Sequence, residues 1–228
     1  MRVTSWNCQH LFGRGKDIDR CMGLLSRLDA DLVTLQECRR RDAHDPSIIW
    51  RGENDDLGTA VVSTSASLPI ERIEIPGLHP TVVPVVVHAA EPFVFVGVWT
   101  HEPFNKVAWD AMAACEAAAD DLDLPMVAAG DFNSSPCVQG QERASREFLG
   151  RMRDELGLVS AYHRFHDVDP CDEPHATYYH QRKKDKPFHI DYCFVPETWA
   201  DRLTGVEVGT FEEWRESDHR PLTVDIAD

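Results

Sequence analysis

Short apolar runs that each end in a polar or charged residue recur along this chain, and they restrict its possible folds more than any other feature. Runs such as residues 93–100 and 126–129 have the length of buried strands rather than of helices. Most runs follow one another closely, unlike the regular strand–helix alternation of a doubly wound sheet. The pattern therefore predicts two sheets packed face to face, with helices on the outside.

Side-chain periodicity assigns the individual elements. Apolar residues at helical spacing predict helices over residues 17–28, 105–122 and 141–156. Residues 39–57 and 160–187 are polar and contain proline, so we predict loops there, the second with one short strand near 177–180. Pro84 predicts an edge or kinked strand over residues 81–88. Further strands are predicted at residues 2–8, 30–36, 58–63, 70–75, 93–100, 126–129, 189–195, 203–209 and 222–226.

Length and charge limit the class of protein. The 228 residues suffice for one domain with a substantial core, and no linker divides them, so we expect a single domain over residues 1–228. The formal net charge of −16 favours solubility and opposes tight duplex binding, which usually relies on a basic face. No apolar run is long enough to span a bilayer, and nothing in the sequence indicates a protein partner.

The cysteines do not suggest a disulfide framework. There are seven, an odd number, and no two have the Cys-x-x-Cys spacing of a zinc site. We therefore expect a reducing, cytoplasmic setting. Cys8, Cys38 and Cys193 lie beside polar motifs but are expected to pack as small apolar side chains rather than to act as nucleophiles.

Polar side chains at the strand ends form the second major pattern. Strands of one sandwich can bring such residues to a common rim, where carboxylates and amides suit a hard cation such as Mg²⁺. A site of this composition is suited to cleaving phosphate esters. In chain order the residues are Asn7, Glu37, His101, Asp131, Asn133, Asp191, Ser217, Asp218 and His219.

This ordered set resembles the endonuclease/exonuclease/phosphatase superfamily, which includes exonuclease III-like and DNase I-like proteins. The resemblance extends from Asn7 to Pro221. It implies an α+β fold, a four-layer α/β/β/α sandwich, with the site where the two sheets open at one edge. It also implies Mg²⁺ or Mn²⁺ as the cofactor, with Glu37 and Asp218 as metal contacts. Asn7 would contact the phosphate or a metal-bound water.

The resemblance also implies the catalytic roles. Asp131 would be the general base, Asn133 would orient the phosphate or the water, and Asp191 would hold His219 in its charged form. His101 would be a second phosphate donor. One departure is that some nuclease branches place a tyrosine or arginine from the middle strands at the phosphate, whereas residues 78–88 here offer only histidines and valines as candidates.

A basic, aromatic segment precedes Asp191 and suggests a substrate contact. Aromatic rings can stack on bases, and lysine or arginine can contact phosphates. The competing interpretation is a solvated hairpin tip, which is the usual outcome for an isolated run of charge. The candidate residues are Tyr178, Arg182, Lys183 and Lys184, with Arg39, Arg40 and Arg41 as possible additions beside Glu37.

The sequence thus predicts a divalent-metal-dependent phosphoesterase, with a phosphodiesterase or nuclease acting on nucleic acid or a nucleotide as the main hypothesis. One alternative keeps the chemistry but changes the substrate to a small phosphomonoester, an inositol phosphate or a phospholipid headgroup. The other is a catalytically silent binding protein, since a fold does not determine a function. The number of metal ions and the choice between endo and exo cleavage stay open.

Overall fold

The computed structural model describes residues 1–10, 18–40 and 45–227, with side chains described for all of these except 18–22. Two six-stranded mixed sheets and a short two-stranded hairpin make up the β-structure of these residues. In chain order the elements are β1 Arg2–Asn7, α1 Ile18–Leu28, β2 Leu32–Cys38, β3 Ile48–Asn54, β4 Leu57–Ser63, β5 Ile70–Arg72, β6 Val82–Val87, β7 Phe93–Trp99, α2 Phe104–Asp121, β8 Met126–Asp131, α3 Glu142–Leu156, β9 Leu158–Ser160, α4 Ala161–His166, β10 Tyr178–Tyr179, β11 Pro187–Phe188, β12 Asp191–Pro196, β13 Leu203–Val208 and β14 Leu222–Ile226, with short 3₁₀ helices at His180–Arg182 and Glu197–Arg202.

The two sheets are alike in containing one parallel pair of strands at the centre. The first has the order β13-β14-β1-β2-β4-β3 and the second β5-β6-β7-β8-β12-β9. Each contains one parallel pair, β1 with β2 in the first sheet and β7 with β8 in the second. In each pair the connection runs through a helix, α1 or α2. Because parallel strands end at the same edge of their sheet, the polar residues that follow these strands are gathered there.

Three apolar clusters separate four layers. Alternate residues of β7 face opposite sides, so that Phe93 and Phe95 join the core between the sheets while Val94 and Val96 pack towards α2 and α3. A third cluster joins Leu24 and Leu28 of α1 to the outer face of the first sheet. Helices thus cover the outer face of both sheets, which confirms the expected α+β sandwich.

The largest error in the predicted elements is the loop over residues 39–57, because β3 occupies Ile48–Asn54. This strand pairs only with β4 at the edge of the first sheet, and its side chains are half-buried or exposed. It therefore lacks the continuous apolar run of an interior strand. The Trp50 ring instead covers two glycines, and a Cβ added to Gly52 or Gly58 would lie about 2.4–2.5 Å from it.

Two further predictions need correction. Val82–Val87 is not an edge strand, because β5 lies outside it in the sheet. However, β5 pairs only with residues 85–87, so Pro84 lies just beyond the paired segment. Within the predicted loop over residues 160–187, Ala161–His166 forms a short helix and β10 pairs with β11. The predicted helix over 17–28 begins at Ile18, and Asp17 lies outside the described residues.

One disulfide contradicts the expectation drawn from the cysteine count. Cys137 and Cys171 are bonded, with 5.6 Å between their Cα atoms, and they join the segment after β8 to the segment before β10. Sequence spacing gave no sign of this pair because the two residues are 34 positions apart and meet only in the fold. Among the described side chains, Cys8, Cys38, Cys115 and Cys193 are buried and not disulfide-bonded. Burial raises the pKa of the Cys38 and Cys193 thiols to about 12, which supports the expectation that they are not nucleophiles.

Among the described helices, none has the length and apolar character needed to cross a membrane.

Candidate active site

The site lies on the seam between the two sheets, and its first contact joins Asn7 of β1 to Asp131 of β8. The amide nitrogen of Asn7 donates to Asp131 Oδ2 over 2.9 Å and to Glu37 Oε1 over 3.1 Å. Asn7 and Asp131 are almost fully buried. Asn7 therefore connects the predicted metal ligand Glu37 to the predicted base Asp131.

The turn after β8 fixes the second amide. A Cβ at Gly130 would lie 1.9 Å from the carbonyl oxygen of Val98, so only glycine permits β8 to approach β7 this closely. Asn133 then adopts a left-handed backbone with φ of 49°, which asparagine tolerates. Its backbone N–H donates to Asp131 Oδ1 over 2.9 Å, and its side-chain amide donates to Asp131 Oδ2 and to the carbonyl of Thr100. Asp131 and Asn133 are thus mutually oriented.

A carboxylate–imidazole pair forms the other side of the site. His219 Nδ1 lies 3.0 Å from Asp191 Oδ2 and 3.2 Å from Oδ1, and both residues are buried. His219 Nε2 faces Asp131 at 3.7 Å from Oδ2. The sequence therefore identified three buried titratable groups that meet in the structure.

Electrostatics set the charge of these groups. Burial disfavours the charged form of His219, but the carboxylates of Asp191 and Asp131 outweigh it and raise the pKa of the imidazole. Burial raises the pKa of Asp131, while His219, Asn7 and Asn133 oppose that shift. The result is a cationic imidazole next to a carboxylate whose proton affinity is increased.

The oxygen donors of the site suit a divalent cation. Glu37 lies in a bulge of β2 with a left-handed φ of 53°, an unusual backbone for glutamate that turns its side chain towards Asn7. Among the described residues, no lysine or arginine forms an ion pair with Glu37, Asp131 or Asp218. Burial contributes most to the raised pKa of the Tyr178 hydroxyl, and the negative charges of Asp218, Asp131 and Glu37 raise it further. Glu37, with His10 Nε2 3.4 Å away, and Asp218 offer carboxylate oxygens that fit a hard cation, whereas Asp131 faces the cationic ring of His219.

A second group could also hold a metal ion by proximity alone. Ligand atoms of Asp131, Asp191 and His219 all lie within 4.8 Å of one another. His219, however, uses Nδ1 to bond Asp191, and its raised pKa favours the protonated ring, which has no lone pair to offer. The geometry of this group therefore favours a hydrogen-bonded relay over a metal site.

The turn that carries Asp218 and His219 is tied to β1. Ser217 Oγ donates to the carbonyl of Asn7 over 2.7 Å and accepts the backbone N–H of His219 over 3.0 Å. These two bonds position the turn relative to β1. Asp218 is also held through its backbone, because its carbonyl accepts the N–H of Tyr179 over 2.8 Å.

In the described part of the chain, His101 forms no hydrogen bond or ion pair with these carboxylates. It follows Thr100, whose carbonyl accepts from Asn133. Its ring packs on Trp99 at 4.3 Å and near His79 at 5.5 Å between centroids, and its Nε2 is buried without a hydrogen-bond partner among the described residues. The contacts of His101 are therefore with aromatic rings, whereas His219 contacts Asp191 and faces Asp131.

The predicted basic substrate contacts are largely engaged within the protein. Arg182 donates to Gln9 Oε1 and to the carbonyls of Arg215 and Glu216, so it braces the β10–β11 hairpin. Lys184 pairs with Glu212. Lys183 is exposed. Beside Glu37, Arg39 and Arg40 pair with Asp56 and Asp55, and Arg41 lies outside the described residues.

Two supporting residues were not foreseen from sequence. Thr177 Oγ1 accepts the backbone N–H groups of Ile190 and Asp191, which fixes the start of β12. Arg220 is only 1% exposed and donates to the carbonyls of Ser217, His219 and Phe211. Nothing in a sequence distinguishes a buried arginine from an exposed one, because its partners here are backbone oxygens.

Comparisons with known proteins agree with this geometry. A model described as the Endonuclease/Exonuclease/phosphatase family matches residues 4–219. Among solved structures, a 3'-5' exonuclease (NExo) from Neisseria meningitidis is 20% identical with a TM-score of 0.72, covering 100% of both chains. The 3' phosphatase NExo from Neisseria bound to product DNA hairpin is 19% identical with a TM-score of 0.70, again covering 100% of both. An AP endonuclease from Archaeoglobus fulgidus is 15% identical with a TM-score of 0.71, covering 99% of each. Among curated proteins, no match to the chain is significant.

Proposed function

Because the chain belongs to the endonuclease/exonuclease/phosphatase family, we propose that it is a divalent-metal-dependent phosphodiesterase that hydrolyses phosphate esters in nucleic acid or nucleotides. The observation that carries the proposal is the contact between Asn7, Asp131 and His219 across the two sheets. It combines a carboxylate of raised pKa with an amide donor and a cationic imidazole around one point. Phosphodiester hydrolysis needs such a base together with donors for the phosphate oxygens.

Each residue then has a role in the reaction. Asp131 accepts a proton from the water that attacks phosphorus, and Asn133 holds Asp131 and the water in line. The bond from phosphorus to the leaving oxygen breaks, and that oxygen takes a proton from solvent. His219, oriented by Asp191, donates to an oxygen of the phosphate as negative charge grows there. Asn7, whose amide donates to Asp131 and Glu37, holds the base beside the cation ligand, and His101 is a further donor to the phosphate. The support for this assignment is that Asn7, Asn133 and His219 contact or directly face Asp131.

Glu37 and Asp218 are the residues that we assign to the cation, with Asn7 Oδ1 as a further oxygen ligand. Their carboxylates have no lysine or arginine partner among the described residues, and oxygen ligands suit Mg²⁺ or Mn²⁺. When bound, the cation withdraws charge from the phosphate oxygens. We expect magnesium or manganese binding to weaken strongly in Glu37→Gln.

The experiment compares hydrolysis of bis-p-nitrophenyl phosphate and p-nitrophenyl phosphate with Mg²⁺, with Mn²⁺ and with chelator. Asp131→Ala should lose nearly all turnover while circular dichroism stays unchanged. Asp201→Asn is the matched control, since this aspartate is exposed and pairs only with Arg164 among the described residues. Full diester turnover in Asp131→Ala would contradict the assignment of the base.

A second candidate keeps the site but changes the substrate to a phosphomonoester. Two observations favour it. The arginines beside Glu37 and the lysine at position 184 are paired with acidic residues, which weakens their attraction for a long polyanion. One structural neighbour is also described as a 3' phosphatase bound to product DNA hairpin. Oligonucleotides with and without a 3' phosphate separate the two candidates.

Charge reversal tests whether the basic segment contacts an oligonucleotide. Lys183→Glu combined with Lys184→Glu should weaken cleavage of an oligonucleotide and reduce its salt dependence. Hydrolysis of the small p-nitrophenyl esters should change little in the same variant. Equal behaviour of both substrates would remove Lys183 and Lys184 from the substrate contact.

A further inference from the structure

The hairpin of β10 and β11 brings Tyr178 into the site by backbone pairing on two sides. Tyr178 pairs with Phe188 across the hairpin and forms an isolated bridge with His219. Its ring packs on the His219 imidazole with 4.7 Å between centroids and a tilt of 42°. Its neighbour Tyr179 packs on Phe211 instead. Tyr178 is therefore fixed against the residue that we assign to the phosphate.

The ring of Tyr178 packs against the imidazole that we assign to a phosphate oxygen, so a phosphate bound to His219 lies beside the phenol. The backbone bridge between Tyr178 and His219 holds the two residues together. A tyrosine hydroxyl keeps its proton at neutral pH and can donate it.

His180 is the hydrogen-bond partner of that hydroxyl. Its Nδ1 lies 3.0 Å from the Tyr178 oxygen. A phenol oxygen can accept one hydrogen bond while its own proton is donated elsewhere. With the Nδ1 proton of His180 donated to the phenol oxygen, the phenol proton is free for an oxygen of the phosphate.

The middle strands supply no equivalent donor. In β6, five of the six residues are valines and the sixth is Pro84. The two polar residues just before it, His79 and Thr81, hydrogen-bond to each other over 2.8 Å. The tyrosine or arginine expected from this part of the chain in some nuclease branches is thus absent from β6, while a phenol enters the site from the hairpin.

We propose that Tyr178 is a catalytic residue whose hydroxyl donates a hydrogen bond to a non-bridging oxygen of the scissile phosphate. The proposal rests on the proposed phosphoesterase function and changes the expected role of Tyr178 from stacking on a base to contacting the reacting group. The proposed contact is made by the hydroxyl, so a protein with a phenylalanine ring at this position should be catalytically defective.

Tyr178→Phe removes only the hydroxyl and retains the ring on His219. We expect kcat for a phosphodiester to fall about 10- to 100-fold, because a donor to a charged oxygen is lost, with little change in KM. Tyr179→Phe is the matched control from the same strand and should keep the wild-type rate. Circular dichroism and thermal unfolding establish that both variants are folded.

A sulfur substitution locates the contact. Sulfur accepts hydrogen bonds poorly, so one of the two phosphorothioate diastereomers should be hydrolysed more slowly by the wild-type protein. With that diastereomer, the difference in rate between wild type and Tyr178→Phe should largely disappear. If both diastereomers preserve the full difference, the hydroxyl does not contact a non-bridging oxygen and the proposal is wrong.

Other outcomes are equally decisive. A wild-type rate in Tyr178→Phe combined with a loss in Tyr178→Ala would indicate a stacking ring and overturn the proposal while leaving the phosphoesterase function intact. Equal losses in Tyr178→Phe and Tyr179→Phe would indicate hairpin packing alone and would also overturn it. Absence of turnover by the wild-type protein on every ester would overturn the proposed function itself, and this role with it.

Discussion

His219 and Asp191 join the two sheets of the sandwich through one hydrogen-bonded pair, with Nδ1 3.0 Å from Oδ2. His219 belongs to the turn before β14 in the first sheet, whereas Asp191 begins β12 in the second. Asn7 and Asp131 make the same crossing from β1 to β8. The site therefore depends on how the sheets pack, and changes in the seam should affect catalysis before they affect the fold.

Asp191→Asn should disable His219 without displacing it. The amide oxygen can still accept from Nδ1, but the loss of the carboxylate charge removes the main attraction that keeps the ring cationic. We expect kcat to fall about 100-fold or more, since a charged donor to the transition state is lost. Steady-state kinetics on a phosphodiester measure this, with Asp201→Asn as the exposed control. A rate near that of the control would mean that the charge of Asp191 is not needed.

Arg220 should contribute to stability through the turn that carries Asp218 and His219. Its guanidinium donates to three carbonyls and lies over the rings of Tyr179 and Phe211 at 4.9 and 4.8 Å. Arg220→Met removes the guanidinium donor from the three carbonyls, of which that of His219 keeps a second donor in Trp6 Nε1, so the free energy of unfolding should fall by about 3 kcal/mol.

Urea unfolding measures the effect of Arg220→Met against Arg143→Met, which replaces an exposed arginine of α3. The control should stay within about 0.5 kcal/mol of wild type. Equal stability of the two variants would contradict a structural role for the buried guanidinium.

The disulfide between Cys137 and Cys171 should stabilise the chain by closing a long segment. The two cysteines are 34 positions apart, and loop closure of that length stabilises by roughly 3–4 kcal/mol in the chain-entropy model. Replacing both cysteines by serine should lower the free energy of unfolding by about that amount. Reductant should destabilise the wild-type protein and leave the double variant unchanged, whereas insensitivity of both would show that the bond does not form in solution.

Local patterns predicted the elements that position the site, but not the features that depend on distant partners. The strands predicted at residues 2–8 and 126–129 are both present, although β1 ends one residue earlier, at Asn7, and β8 continues to Asp131. The Ile48–Asn54 strand was not predicted, because a strand at the edge of a sheet needs no continuous apolar run. The disulfide was not predicted because its two cysteines are far apart in the chain. The burial of Arg220 was not predicted because its partners are backbone oxygens.

The charges around the site illustrate the same limit. The sequence reveals a basic segment before Asp191. It does not reveal that Lys184 forms an ion pair with Glu212, or that Arg182 donates hydrogen bonds to backbone carbonyls and to Gln9. The sequence likewise identifies Glu37 as a candidate but does not reveal its left-handed backbone. That backbone arises from a bulge in β2 against β4. Pairing across the fold decides how much of a charged motif is left for a substrate.

His189 should make the stability of the fold depend on pH. The ring is buried against Tyr162 and Tyr192, and Nδ1 lies 3.2 Å from the carbonyl of His175, to which the neutral ring can donate. Burial, aided by His163, lowers its pKa from 6.5 to about 4, although Glu173 and Asp191 act in the opposite direction. The unfolded chain therefore binds a proton at a higher pH than the native protein does.

The stability due to neutral His189 is then complete above about pH 6.5 and is lost as the pH falls towards 4. The difference between the two pKa values corresponds to a loss of about 3 kcal/mol at the acid end. His189→Gln can retain the donor to His175 and should unfold with a shallower pH dependence over this range. His88→Gln, at an exposed position, should follow the wild-type curve. Urea unfolding at half-unit steps between pH 4 and 7 tests this, and parallel curves for wild type and His189→Gln would assign the acid sensitivity to other groups.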